Sequence, residues 1–259
     1  MYDLCKMKLF SQILGEGSPL LVIHGVFGMS DNWQTLGRKW SEHYQVHLLD
    51  MRNHGRSPHS ADHNYELMSD DLLEYCEEHQ LGQVYLLGHS MGGKVAMHFA
   101  TYYPERVAKM IVADIAPKAY PPHHQDVLEA MHALDLNQIS SRKEAQEQFG
   151  PKLHPGVRQF LLKNLYWETK ERLNWRFNLK VLSDKIEEIG GALAPNAYYD
   201  GPVLFLRGGD SWYIKDADQD LIQQHFPEAS LKTVADAGHW LHAQQPQAVF
   251  DAVVNFLGE

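Results

Sequence analysis

Three kinds of residue that can cleave an acyl bond together follow apolar runs in this chain. The first is Ser90, inside Gly88-His89-Ser90-Met91-Gly92, the pattern G-x-S-x-G. An apolar run from Val84 to Leu87 stops at Gly88, and a segment of helical composition, Lys94 to Tyr103, begins just after Gly93. In that context the pattern marks a nucleophile on a tight, strained strand-to-helix turn, with its hydroxyl clear of the sheet edge. Gly88 and Gly92 flank it because side chains there would collide with the neighbouring strand and helix. The following helix points its N-terminus at the site, which favours developing negative charge.

A serine hydroxyl attacks only when a base removes its proton. His239 suits that role: it follows the last strand-like run, sits beside Gly238 and comes late in the chain. The acid that orients it must fix the tautomer and stabilise the imidazolium. Asp114 and Asp210 both end apolar runs, and the residues alone leave the choice open. A tetrahedral oxyanion needs at least two preorganised N–H donors. Met91, after the nucleophile, supplies one. The loop His24-Gly25-Val26-Phe27-Gly28 supplies another, from Val26 or, alternatively, Phe27. The remaining histidines have plainer readings. His89, His98 and His242 surround the site or lie on the surface, and His54, His59 and His63 sit solvated in a polar loop. His123-His124 lacks a carboxylate partner for a metal, so no metal site is expected.

The elements that must position these groups alternate. Residues from about Leu4 to Leu14 read as one or two short strands. Leu20 to Ile23 is wholly apolar, as for a strand buried on both faces. Ser30 or Asp31 can cap a helix bearing Trp33, Leu36 and Trp40 on one face. Further strands run Val46–Leu49, Val84–Leu87, Val107–Val112, Pro202–Leu206 and Leu231–Val234. Helices run Glu66–His79, Ala217–Phe226 and Pro246–Leu257. The alternation implies βαβ units, a parallel sheet and right-handed crossovers. Ligands of such sheets bind beyond the carboxyl ends of the strands, where His24-Gly25, Asp50, Ser90 and Asp114 all fall.

From Lys118 to about Asn196 no strand-like run is expected. Helical periods replace it: Val127, Met131 and Leu134; Phe160, Leu161 and Leu165; Ile186 and Ile189. Pro121-Pro122, Gly150-Pro151 and His154-Pro155-Gly156 punctuate them. The expected organisation is a core of residues 1–117 and 199–259 with a helical cap, 118–198, inserted between two late strands.

Composition narrows the class. The 259 residues carry 44% hydrophobic and 22% charged side chains and a net charge of −10, with no basic stripe, so nucleic-acid binding is not expected. No run is long enough to span a bilayer, Met1–Lys6 has no apolar core of a signal peptide, and stable membrane association is not expected. Cys5 and Cys76 read as reduced thiols, with Cys76 in the core, which points to a cytoplasmic protein. No feature specifies an oligomeric state.

Several segments resemble the α/β-hydrolase family, in its YbfF-type esterase branch. They are His24-Gly25-Val26-Phe27-Gly28 with Asp31-Asn32-Trp33, Asp50-Met51-Arg52-Asn53-His54-Gly55 with Ser57-Pro58, Gly88 to Lys94, Asp114-Ile115-Ala116-Pro117 with Tyr120, Trp175-Arg176-Phe177-Asn178, Gly208-Gly209, and Ala237-Gly238-His239-Trp240. The order Ser…Asp…His is that of the family's triad. The resemblance implies an α/β-hydrolase fold with a mostly parallel central sheet flanked by helices. It implies a serine esterase without cofactor, acting on small-molecule acyl esters and extending to acyl-CoA thioesters through an acyl-serine. In this branch the Asp-Ile-Ala-Pro segment carries the aspartate, which favours Asp114 and keeps Asp210 as the alternative acid. Phe27, His89, Trp240, Tyr120 and Trp175 are the candidate substrate contacts. Two other readings share the triad: a cofactor-free lyase or C–C bond hydrolase, and a ligand receptor with slow turnover.

Overall fold

The computed structural model describes residues 7–122, 124–149 and 153–258. Cys5, His123, the Gly150-Pro151 break and the start of the expected N-terminal strand lie outside the described residues.

Among the described residues the main sheet is built from β1 (Ser11–Leu14), β2 (Pro19–Ile23), β3 (Gln45–Leu49), β4 (Val84–His89), β5 (Val107–Ala113), β8 (Val203–Gly208) and β9 (Ala229–Val234). Their order is β1-β3-β2-β4-β5-β8-β9. Only β1 runs antiparallel to its neighbour; the other pairs are parallel. Alternate residues of these strands feed two cores. Leu21, Ile23, Leu49, Leu86, Met110 and Val112 face the helices α2 (Tyr65–Glu78) and α3 (Met91–Tyr102). Leu20, Val22, Val46, Leu48, Leu87 and Ile111 face α1 (Gln34–Trp40) and α11 (Pro246–Leu257). A strand buried on both faces has no polar side to alternate, which is why these runs are continuously apolar.

Local starts differ in detail from the sequence expectation. The helix expected from Glu66 starts one residue earlier, at Tyr65, capped by Asn64, whose Oδ1 accepts from Leu67 N–H at 2.8 Å. Neither Ser30 nor Asp31 caps α1. A 3-10 turn, Ser30–Trp33, precedes that helix, and Asp31 pairs with Arg56 and accepts from Gln12 instead.

The segment between β5 and β8 corrects another expectation. It holds α4 (Gln125–His132), α5 (Arg142–Phe149), α6 (Pro155–Leu162), α7 (Leu179–Asp184) and α8 (Ile186–Ile189). It also holds a small antiparallel pair, β6 (Leu165–Trp167) and β7 (Leu173–Trp175). Three-residue strands are too short to display a period of two, so Leu165 was absorbed into a helical pattern. The buried residues of this insertion join the core on the α2–α3 side of the sheet. Its two ends run side by side: Leu193 N–H donates to Pro117 O at 2.9 Å and Tyr120 N–H to Gly190 O at 2.8 Å. The buried Lys94 ammonium joins them, donating to Lys118 O at 2.6 Å and Gly191 O at 2.7 Å. Among the described residues no helix is long and apolar enough to cross a membrane.

Candidate active site

Ser90 occupies the turn between β4 and α3 with φ 54° and ψ −118°, backbone space that a non-glycine residue enters only when its surroundings enforce it. The enforcement is visible on both sides. Ser90 N–H donates to Ala113 O on β5 at 3.0 Å, and Lys94 N–H donates to Ser90 O at 3.1 Å. A Cβ on Gly88 would stand 2.1 Å from Gly92 O, and one on Gly92 would stand 2.4 Å from Ile23 O. The strand, the helix and the next strand therefore approach as closely as backbone allows.

Asp114 follows β5 with φ 53° and a fully buried carboxylate. Oδ2 accepts from His239 Nδ1 at 2.8 Å and from the Ser211 hydroxyl, and Oδ1 accepts from Gly208 N–H at 3.0 Å. Three donors around a buried carboxylate satisfy the charge that burial would otherwise penalise. Asp210, the alternative acid, is exposed; its N–H donates to Ala237 O at 2.9 Å. Ser211, next to it, donates its hydroxyl to the Asp114 carboxylate.

The His239 ring is held by aromatic contacts as well. Tyr213 stacks on it at 3.8 Å between ring centres and 13° between planes. His89 lies 4.7 Å away, its Nε2 bonded at 2.8 Å to the His239 carbonyl oxygen. Burial drives the His89 ring well below its usual pKa, so it is neutral and donates from Nε2. His242 stacks on Trp33 at 4.2 Å, and burial pushes its pKa down to about 3.

Ser90, His239, Val26, Phe27, His89 and Trp240 all line one cleft of about 200 Å³. Val127, Val157, Phe160 and Leu161 of the insertion form an apolar wall opposite them. Tyr120 lies outside this cleft. It lines a second chamber of about 20 Å³, on which Ser90 and Met91 also border. Its hydroxyl donates to Tyr213 O at 2.7 Å and accepts from Ala116 N–H at 2.8 Å. Trp175 does not reach the cleft. It is buried in the insertion and stacks on Phe177 at 5.1 Å, which in turn packs against Phe27. Arg176 lies over the Tyr166 ring at 4.5 Å.

Four amides of the loop after β2 are already engaged. Phe27 N–H donates to His54 Nε2 at 3.2 Å, Gly28 N–H to Gly25 O at 2.9 Å, Met29 N–H to Asn32 Oδ1 at 2.8 Å and Ser30 N–H to Asp50 Oδ1 at 2.6 Å. Among the described residues Val26 N–H has no partner. The amide of Phe27, the alternative oxyanion donor, is thus already occupied.

His54 and His63 correct the expectation of solvated side chains: both are fully buried. The loop from Asp50 to Ser57 folds inward because Asp50 accepts the Ser30 and Arg56 amides and Arg52 forms a buried bidentate pair with Asp71, both bonds at 2.6 Å. Only His59 of the three is exposed. Sequence reasoning also missed Tyr213 and Asn164. Tyr213 carried a usable signal, an aromatic residue in the loop just past β8, whereas an asparagine between two apolar runs carried none. Among the described residues no cluster of His, Cys, Asp and Glu could hold a metal ion.

Comparison with known proteins places this geometry. Residues 18–150 match the model described as alpha/beta hydrolase fold. The sn-1-specific diacylglycerol lipase ABHD11 of Mus musculus is 38% identical over 92% of this chain and 80% of its own. Esterase YbfF of Escherichia coli is 35% identical over 94% of each. A solved structure titled Marine microorganism esterase is 38% identical and superposes with a TM-score of 0.94, covering 96% of this chain and 99% of its own. With a strand-turn-helix serine, a histidine-aspartate pair at the same sheet edge and relatives matched almost end to end, the chain belongs to the α/β-hydrolase family, in the branch of esterase YbfF.

Proposed function

We propose that this carboxylic ester hydrolase is a serine esterase working through an acyl-serine, with Ser90 as nucleophile, His239 as base and Asp114 as the orienting acid. The observation that carries the reading is the 2.8 Å bond from His239 Nδ1 to the buried Asp114 carboxylate, in the same cleft as Ser90. With Nδ1 engaged, Nε2 is the nitrogen left to take the serine proton. Ser90 Oγ attacks the acyl carbonyl, and the oxyanion is received by the Met91 and Val26 amides. His239 then protonates the departing alcohol, and water repeats the sequence on the acyl-serine.

The insertion, residues 118–198, acts as a cap over the core formed by residues 1–117 and 199–259. Its apolar wall supports an acyl group of hydrocarbon character, as does the name of the mouse relative, a diacylglycerol lipase. Acyl-CoA thioesters are a second substrate class, because the same acyl-serine forms when a thiol leaves. Phe27, His89 and Trp240 contact the substrate. The expected compartment is cytoplasmic.

Hydrolysis of p-nitrophenyl esters from acetyl to palmitoyl tests the reading. Ser90→Ala is expected to abolish turnover. Asp114→Asn is expected to cost about 10⁴ in kcat, as loss of the orienting acid does in such triads. Asp210→Asn is expected to leave kcat within about twofold. A large loss at Asp210 and none at Asp114 would reverse the assignment.

A further inference from the structure

We propose that His54 and Asn164 are positioning residues that clamp Phe27 through its backbone N–H and C=O, on either side of its Cα, and thereby aim the neighbouring Val26 amide at the reacting carbonyl. The inference rests on the oxyanion role proposed for Val26. Phe27 has φ 59°, left-handed backbone that an aromatic residue keeps only when its surroundings hold it there. Two side chains do. Phe27 N–H donates to His54 Nε2 at 3.2 Å, and Phe27 O accepts from Asn164 Nδ2 at 2.8 Å. All three residues are buried.

His54 can accept that bond only as the tautomer protonated on Nδ1. The structure sets this tautomer: Nδ1 donates to Arg52 O at 2.9 Å, and the Arg52 side chain is locked by Asp71. Asn164 comes from the insertion, between α6 and β6, and its position is fixed by Arg176 N–H, which donates to Asn164 O at 2.9 Å. One hand of the clamp therefore belongs to the core and the other to the insertion. Phe27 makes no contribution through its own amide, since His54 occupies it. What the clamp fixes is the left-handed turn at Phe27, and through it the orientation of the adjoining Val26 residue, whose N–H is unpartnered.

A clamp of this kind acts on the transition state more than on substrate binding, because the carbonyl oxygen needs the Val26 amide most once it carries charge. The test is a kinetic comparison of wild type, His54→Leu, His54→Gln, Asn164→Leu and the His54→Leu/Asn164→Leu double variant on p-nitrophenyl butyrate. Melting temperature and affinity for a trifluoromethyl ketone, which forms the tetrahedral adduct, are recorded in parallel. His54→Leu and Asn164→Leu are each expected to lower kcat at least about tenfold, less than the about 10²–10³ of a lost donor, with KM within about twofold. The ketone should weaken by a similar factor. His54→Gln, which keeps an acceptor, should recover most of the loss. The double variant should lose less than the product of the single losses, because both hold the backbone of one residue, Phe27.

Unchanged kcat and ketone affinity in folded single variants would overturn the proposal. So would a purely KM effect, or a His54→Gln variant as impaired as His54→Leu. Should His54→Leu fail to fold, His54→Gln and Asn164→Leu carry the same discrimination. Ser90→Ala run beside them separates the two levels: activity surviving in Ser90→Ala would remove the esterase reading itself, whereas activity lost there with intact clamp variants would remove only the clamp.

Discussion

At the scale of single residues, the site depends on places where nothing can be added. Gly88 and Gly92 lie so close to backbone carbonyls that a methyl group has no flexible neighbour to displace. Gly88→Ala is therefore expected to destabilise the fold by about 1–3 kcal/mol and to lose turnover, since the strain must be relieved at the Ser90 turn itself. Urea denaturation read by far-UV circular dichroism, with the ester assay beside it, checks both effects. These glycines, Ser90 and the strand ends were legible because their demands are local: a short run, a turn and a helix written in consecutive residues. His54 and His63 were not. Their immediate neighbours are polar, and only Asp50 reaching the Ser30 and Arg56 amides, with Arg52 reaching Asp71, pulls that loop inside. Long-range burial of a polar loop leaves no periodic mark.

At the scale of elements, the buried Arg52–Asp71 pair ties the loop after β3 to α2 and is worth testing as a unit. Its side chains are 7% and 3% exposed, and burial of Asp71 outweighs the adjacent guanidinium, holding its carboxyl above the usual range. Removing one partner strands the other charge. Arg52→Met alone is expected to cost about 3–5 kcal/mol, and Arg52→Met with Asp71→Leu markedly less, as measured by urea midpoints. Elements also divided in how far they could be read. α11 spans Pro246–Leu257, as its proline start and apolar face predict, and the sheet strands follow their apolar runs to within a few residues. The β6–β7 pair was invisible because six residues joined by a polar turn carry too little pattern. Asn164, just before β6, shares that obscurity: its role arises from where the insertion docks, which no local signal records.

At the scale of the whole molecule, burial of titratable groups shapes the response to pH. Burial lowers His63 and His98 to about 4 and His242 to about 3, and moves His54 and His89 down as well. A folded pKa below the unfolded value of about 6.5 means the unfolded chain binds the extra protons. The stability these neutral rings contribute is present above pH 6.5 and is lost as pH falls toward 4, at about 1.4 kcal/mol per pH unit for each proton taken up. Lys94, lowered by burial to about 7, extends the same sign upward: stability continues to rise from pH 7 toward 9. Above about pH 9 the trend reverses, because burial raises Cys76 to about 11 and also raises Tyr65, Tyr75, Tyr120 and Tyr213, so the unfolded chain loses these protons first. Chemical denaturation from pH 4 to 8 should show this continuous rise, and a maximum near pH 6 would contradict it.

The side-by-side ends of the insertion, bridged by Lys94, carry one more consequence. Seen from the sheet, the residues between Pro117 and Leu193 enter and leave at neighbouring points, as the ends of a tight turn do. The architecture is modular: a cassette from a relative, spliced at Pro117 and Leu193 with Lys94 retained, is expected to fold on this core and to exchange its wall of side chains for another. Substrate range can then diversify by replacement of one contiguous block, provided that the new block supplies a donor in the place of Asn164, while Ser90, Asp114 and His239 are inherited with the core.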